Sequence, residues 1–258
     1  MTSILSDPMD PARARAMQAT LGQPMSIKTG DPLPPFFHQL YFWDIHPPAR
    51  LGRDGHPAPG VVLPDTGLPR RMWAGGSLTW DRPLLAGQRA EKHSYADEVV
   101  RKPGRSGPLA FVTVHHEVWQ DGERCLTERQ DIVYRQDPRP GAPIPQAPEA
   151  PGGADEAETR MFSEVTLFRY SALTFNGHRI HYDRDYARDV EGHGGLVVHG
   201  PLLAQCLMLM VPGLSEFSYR LKSPVIVGEE VTFCRKGDAL WAKVGDRLAI
   251  SAEARGAA

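Results

Sequence analysis

Along this 258-residue chain the clearest hydrophobic pattern is a pair of strand-length runs around a turn signal, and it occurs twice. Residues 111–119 and 125–134 flank Asp121-Gly122, a pair suited to a two-residue hairpin turn because both residues tolerate positive φ. Residues 239–244 and 247–253 flank Gly245-Asp246 in the same way, and Leu248, Ile250 and Ala252 alternate as a half-buried strand requires. Ahead of each hairpin stands a matching stretch. SLTWDRPLLAGQRA at 77–90 is echoed by SYRLKSPVIVGEEV at 218–231. Each has apolar strand residues, a proline, three apolar residues and a glycine. This common order predicts a duplicated β-hairpin unit.

Two further runs predict helices. Residues 201–211, PLLAQCLMLMV, are apolar nearly all round, so a helix there has to be wrapped by other structure; Pro201 suits its first turn. Residues 34–43, PPFFHQLYFW, are the expected counterpart in the first half. A central helix held by a curved antiparallel sheet, twice, gives an α+β architecture. Between the halves, residues 137–160 are rich in proline, glycine, alanine and acidic side chains and are expected to be a linker. The expected units are therefore 1–136 and 161–258.

Composition narrows the class. The 41% apolar and 23% charged fractions are those of a globular protein, which argues against disorder or a fibrous repeat. A net charge of -2 argues against a nucleic-acid partner, which would call for a concentrated basic footprint. Arg70-Arg71 and residues 101–105 (RKPGR) are basic clusters that could meet a phosphorylated ligand, with a solvated surface as the favoured expectation. Cys125, Cys206 and Cys234 are odd in number and lack C-x-x-C spacing, so neither a disulfide scaffold nor a structural zinc site is expected. There is no apolar run of membrane-spanning length and the first fifteen residues are polar, giving the expectation of a cytoplasmic protein without a membrane partner.

The chemistry gathers in residues 167–187, LFRYSALTFNGHRIHYDRDYA. Asn176, His178, His181, Asp183 and Asp185 fall within ten residues, after an apolar run read as a strand and before the glycine-rich stretch at 192–195. From the residues alone three readings stay open. The histidines can be ordinary loop residues. His178, His181 and Asp183 can be metal ligands, although their spacing is not the i, i+4 pair of zinc hydrolases. Or an imidazole can do acid–base work near neutral pH.

The segment resembles the signature of the MaoC-type (R)-specific enoyl-CoA hydratases, in which an aspartate is followed five residues later by a histidine and then, after one more residue, by an acid. Asn176, His181 and Asp183 occupy those places, and LVVHGPLL at 196–203 resembles the family element that opens the central helix. The wording at 170–183 (YSALTFNGHRIHYD) and LPRRMWAGG at 68–76 are most similar to a subgroup comprising hydroxyacyl-thioester dehydratases type 2 and mesaconyl-C4-CoA (3-methylfumaryl-CoA) hydratases. The resemblance implies a double hot-dog fold whose N-terminal unit lacks the catalytic signature and whose C-terminal unit keeps it. It also implies reversible hydration of an enoyl-CoA, such as mesaconyl-C4-CoA or itaconyl-CoA, without metal or resident cofactor, coenzyme A being part of the substrate.

Asn176 departs from the family aspartate. An amide cannot act as a base, but it can orient water while His181 transfers the proton. The N–H of Gly200, at the start of the helix, is the expected oxyanion donor, and glycine there would let the thioester approach closely. Arg71, Arg169 and Arg179 are candidates for a second substrate carboxylate, and His199 for a further substrate contact. An acyl-CoA thioesterase and a non-catalytic acyl-thioester binding protein are the alternatives. Either a monomer or a homodimer is expected, since one chain already holds two hot-dog units.

Overall fold

The computed structural model describes residues 2–60, 62–104, 107–137 and 146–256. Its elements are β1 (Ser3–Asp7), α1 (Pro11–Thr20), β2 (Arg70–Trp80), β3 (Ala90–Ala96), β4 (Val100–Gly104), β5 (Gly107–Gln120), β6 (Glu123–Arg135), β7 (Glu156–Met161), α2 (Glu164–Thr174), α3 (Gly200–Met208), β8 (Leu214–Leu221), β9 (Glu230–Lys236), β10 (Ala239–Val244) and β11 (Arg247–Gly256). The strands form one sheet in the order β1-β3-β5-β6-β2-β8-β11-β10-β9-β7, with β4 pairing to β5. Read outward from its centre, the sheet has the same connectivity on both sides: β2, β6, β5, β3, β1 against β8, β11, β10, β9, β7.

The centre of the sheet shows the duplication. β2 and β8 are antiparallel, and Ser77 lies opposite Ser218. These serines open the two echoed stretches of sequence, and two copies related by a two-fold axis must meet at equivalent residues. The two halves thus close on each other as subunits of a dimer would, giving the double hot-dog. The hairpin turns hold the expected chemistry as well: Asp121 and Gly122 both have positive φ, 53° and 78°, as a turn matched to the strand twist demands.

In the second half α3 lies against β8, β9, β10 and β11. All its residues from Pro201 to Met208 are buried. Each fully buried leucine or methionine contributes roughly 1.5–3 kcal/mol, so packing, not intrinsic propensity, holds this nine-residue helix.

Three expectations are corrected. Residues 34–43 do not form a central helix; they contain one 3-10 turn, Phe37–Leu40. Phe36 and Phe42 take positive φ on either side of it, which stops helical hydrogen bonding, yet Phe36, Phe37, Leu40, Tyr41 and Phe42 still fill the core. The apolar run before the polar motif is helix α2, not a strand. Leu167 and Tyr170 are buried while Val165 and Phe168 are exposed, a helical period and not an alternation, and Ser163 caps the first turn by accepting from Thr166 N. The end of the expected linker is strand β7, paired with β9. Residues 138–145 of that linker, and Arg105, lie outside the described residues, whereas Pro148 and Ala150 are tied to the β10–β11 hairpin through Leu248 N and Asp246 O. Among the described residues no helix is long and apolar enough to cross a membrane.

Candidate active site

The polar motif starts where α2 stops. Phe175 closes the helix in the left-handed conformation, φ 52°, and its ring stacks on Trp43 from the first half, with centroids 4.9 Å apart and planes at 14°. Trp43 Nε1 also donates to the carbonyl of Leu173. The chain then turns on Asn176, whose Oδ1 accepts from His178 N at 3.0 Å, an Asx turn. A 3-10 turn, Arg179–His181, carries the histidine inward.

His181 is held from two sides. Its Nδ1 is 2.7 Å from the carbonyl oxygen of Val197, and a carbonyl can only accept, so Nδ1 carries the hydrogen and Nε2 keeps its lone pair. The Val197 segment is itself fixed by Val197 N to Ile180 O and Val198 N to Val225 O. His199 stacks on His181 with centroids 3.6 Å apart and planes at 20°. His199 is fully buried, and its Nε2 is 2.9 Å from Ser171 Oγ. Directly after it α3 begins, with Leu202 N and Leu203 N bonding to His199 O. The N–H of Gly200, the first residue of the helix, belongs to the opening turn whose amides have no intrahelical partner, a local positive end beside the stacked imidazoles.

Burial governs the electrostatics. It pushes His181 down to about 4, a fall that the Val197 carbonyl opposes and His193 reinforces. His178 is pushed down to about 2 by burial and then by repulsion from His56 and His181. His56 and His199 are lowered strongly for the same reason, burial first. At neutral pH the site is thus a cluster of uncharged imidazoles. His178 lies edge-on to His181 at 5.5 Å and beside His56 at 4.8 Å.

The other expected residues fall in different surroundings. Gly200 is close to protein: a Cβ there would press on the side chain of Leu221, so a larger residue would require that leucine to shift. Arg71 bonds to Asp54 at 2.8 Å and to Pro57 O. Arg179 bonds twice to Asp183 and lies over the Tyr186 ring. Arg169 is exposed on α2 and has no ion pair among the described residues. The expectation that Arg70-Arg71 form a solvated cluster is corrected, because Arg70 is buried against Glu191 and Arg71, half-buried, pairs with Asp54. In the other basic stretch Arg101 bonds to Thr66 O and Lys102 lies over Phe111.

Sequence reading missed Asp54 and His56, which come from the first half. The nearest signal was local: Arg-Asp-Gly-His-Pro at 53–57 is a turn with a histidine set into it, and loops carry a large share of functional residues. Asp54, His56 and His178 offer ligand atoms within 4.8 Å of one another, the group among the described residues best able to hold a metal ion.

Residues 36–227 match the family described as hydroxyacyl-thioester dehydratase type 2. The chain belongs to that family. The chain is 44% identical over 234 residues, 87% of this chain and 82% of the relative, to the mesaconyl-C(4)-CoA hydratase of Chloroflexus aurantiacus. Among solved structures it resembles HtdX of Mycobacterium tuberculosis, with a TM-score of 0.69 and 17% identity over all of both chains. It also resembles a second M. tuberculosis protein described as having a double hotdog fold, with a TM-score of 0.58 and 14% identity, covering 98% of this chain and 94% of that one. These structural likenesses speak for the fold of this dehydratase family member. The chemistry rests on the site.

Proposed function

We propose that the protein adds water reversibly across the double bond of an enoyl-CoA thioester, the acyl group being a short branched dicarboxylic chain of the mesaconyl-C4-CoA or itaconyl-CoA kind. The observation that carries the reaction is the hydrogen bond from His181 Nδ1 to Val197 O, which leaves Nε2 as an unprotonated base next to a helix N-terminus. The 44% identity to a mesaconyl-C(4)-CoA hydratase supports the choice of acyl group.

In the forward direction the water oxygen bonds to the β-carbon while Nε2 of His181 takes its proton. The π electrons move to the thioester oxygen, where the Gly200 N–H meets the developing charge. That enolate charge in turn favours the imidazolium, which offsets the low basicity of a buried imidazole. Collapse of the enolate then returns the proton to the α-carbon. Asn176 Oδ1 already accepts from His178 N, which leaves one lone pair and the two Nδ2 donors to help orient the water. His199, fully buried, acts by holding the His181 ring. Arg71 and Arg179 are already paired with carboxylates; Arg169, exposed and without an ion pair among the described residues, is the remaining candidate for a substrate carboxylate or a coenzyme A phosphate. With two hot-dog units in one chain, a monomer suffices.

Incubation with crotonyl-CoA, mesaconyl-C4-CoA and itaconyl-CoA tests this. The expected result is loss of enoyl-thioester absorbance with a dicarboxylic substrate and no release of free thiol. Thiol release would mean hydrolysis, and unchanged absorbance with all three would contradict hydration.

A further inference from the structure

The loop at residues 51–58 is fastened to the catalytic motif by backbone contacts from both sides. Arg179 N donates to Asp54 O at 2.9 Å, and Arg179 Nη1 donates to Arg53 O. Gly55 and Gly177 pack so closely that a Cβ on Gly55 would lie 2.1 Å from Gly177 O, and one on Gly177 would lie 2.6 Å from Gly55 O. Gly55 also has φ +85°, a conformation that side chains rarely adopt. The loop is therefore built to this motif, and what it delivers there is His56, 4.8 Å from the ring of His178.

His178 is the reason the delivery matters. The residue is 8% exposed, and its Nε2 is buried without a hydrogen-bond partner. An orphaned buried nitrogen is disfavoured enough that it calls for an explanation, and a polar ligand between the two imidazoles supplies one. Asp54 does not compete for that role: its carboxylate accepts from Arg71 and from His56 N, so it orients the loop. The Arg71 guanidinium beside it also repels a divalent cation, which favours water over a metal among Asp54, His56 and His178.

We propose that His56, from the half without the catalytic signature, is a positioning residue of the hydration reaction. Together with His178 it holds the attacking water, or the hydroxyl of the product, against Nε2 of His181. The two rings do this as neutral imidazoles, each with one donor and one acceptor, where relatives of the MaoC type are expected to use a carboxylate. The inference rests on the hydration reading above.

The test compares wild type with His56→Ala, His56→Gln and His181→Ala on mesaconyl-C4-CoA, with thermal melting as the check on folding. The expected result for His56→Ala is a fall in kcat of about 10- to 100-fold with KM changed less than about threefold, the scale of a positioning effect, and a melting curve like that of wild type. His56→Gln, which keeps a side-chain donor and acceptor, is expected to recover part of the rate. A His56→Ala enzyme with kcat within about twofold of wild type overturns the proposal, as does a loss confined to KM. Equimolar Zn2+ binding by calorimetry, lost in His56→Ala and required for turnover, also overturns it in favour of a metal centre. If wild type hydrates none of the substrates, the hydration reading itself has failed; if His181→Ala is inactive while His56→Ala is normal, only the role of His56 has failed.

Discussion

Each half of the molecule buries a histidine cluster, and the two clusters are finished differently. In the first half His38 Nε2 meets Glu128 at 2.9 Å, with both side chains almost wholly buried, and Gln39 and Gln130 also donate to the carboxylate. Burial favours the protonated acid, but the hydrogen bond and charge of His38, with His116 and Gln130, outweigh it and hold Glu128 below its ordinary range. In the second half no carboxylate hydrogen-bonds to His178, His181 or His199 among the described residues. There the imidazoles rest on one another and on a carbonyl; His178 Nε2 and His199 Nδ1 have no partner, and neither has His38 Nδ1 in the first cluster, so the carboxylate is what distinguishes the two. A carboxylate whose partners are all protein atoms behaves as part of the core. An imidazole left with a lone pair is available to a ligand. On the proposed function, the duplicated fold keeps one buried cluster for stability and uses the other for chemistry.

The largest effect that would sharpen this contrast is on turnover. His181→Ala should lower kcat by about 10²–10⁴-fold, the range for an acid–base group, with little change in urea stability. A rate near wild type would remove the contrast. Glu128→Ala should do the opposite. Stranding a buried partner typically costs about 3–5 kcal/mol, so the urea midpoint should fall clearly while kcat of the folded fraction stays within a few-fold.

Acid should separate the histidines from Glu128 by pH window, with His116 of the first cluster falling in the same window as the second-half imidazoles because burial lowers it to about 4 as well. The second-half imidazoles stay neutral in the fold but protonate in the unfolded chain below about 6.5, so their folded pKa values lie below the unfolded ones. Stability should therefore fall as pH drops from about 6.5 toward 4, by roughly 1.4 kcal/mol per pH unit for each such histidine. Glu128, depressed in the fold, contributes stability that is present above about 4.5 and is lost only as pH falls through its lower folded value. Chemical denaturation across pH 3–8 should show the histidine slope first; a flat profile from 6.5 to 4.5 would contradict it.

The smallest expected effect belongs to Asn176→Asp. The new carboxylate keeps the acceptor for His178 N and adds negative charge near neutral imidazoles. The acid limb of kcat/KM should move upward from about 4 by about one pH unit, and an unmoved limb would place Asn176 outside the electrostatic field of His181.

The parts of this arrangement that were legible in sequence are those set by local pattern. Asp121-Gly122 and the alternation through Leu248, Ile250 and Ala252 mark hairpins because turn type and strand period are properties of neighbours. The echo beginning at Ser77 and Ser218 anticipated the centre of the sheet, where those residues pair. The apolar run at 201–211 could only be a wrapped helix. Misreadings came where local preference was overridden. Residues 34–43 carry the same apolar content as a core helix, but Phe36 and Phe42 take positive φ, and the core is filled without helical bonding. The run ahead of Asn176 reads equally as strand or helix over a few residues, until Ser163 is seen as a cap. Asn176 and His181 could be singled out as candidates because their motif is contiguous. His56 was not, since its meeting with His178 spans more than a hundred residues and leaves no period behind. The same holds for Arg71, whose charge suggests a ligand and whose surroundings supply Asp54.

Hydration by this site requires that His181 present an unprotonated Nε2 at neutral pH, with Nδ1 donating to Val197 O. Imidazole 15N NMR of the protein, followed from pH 8 downward and assigned with His181→Ala, measures this directly. The expected result is the neutral Nδ1–H tautomer at pH 7, with protonation deferred to about 4. A His181 that carries its hydrogen on Nε2, or that titrates near 6.5, would contradict it.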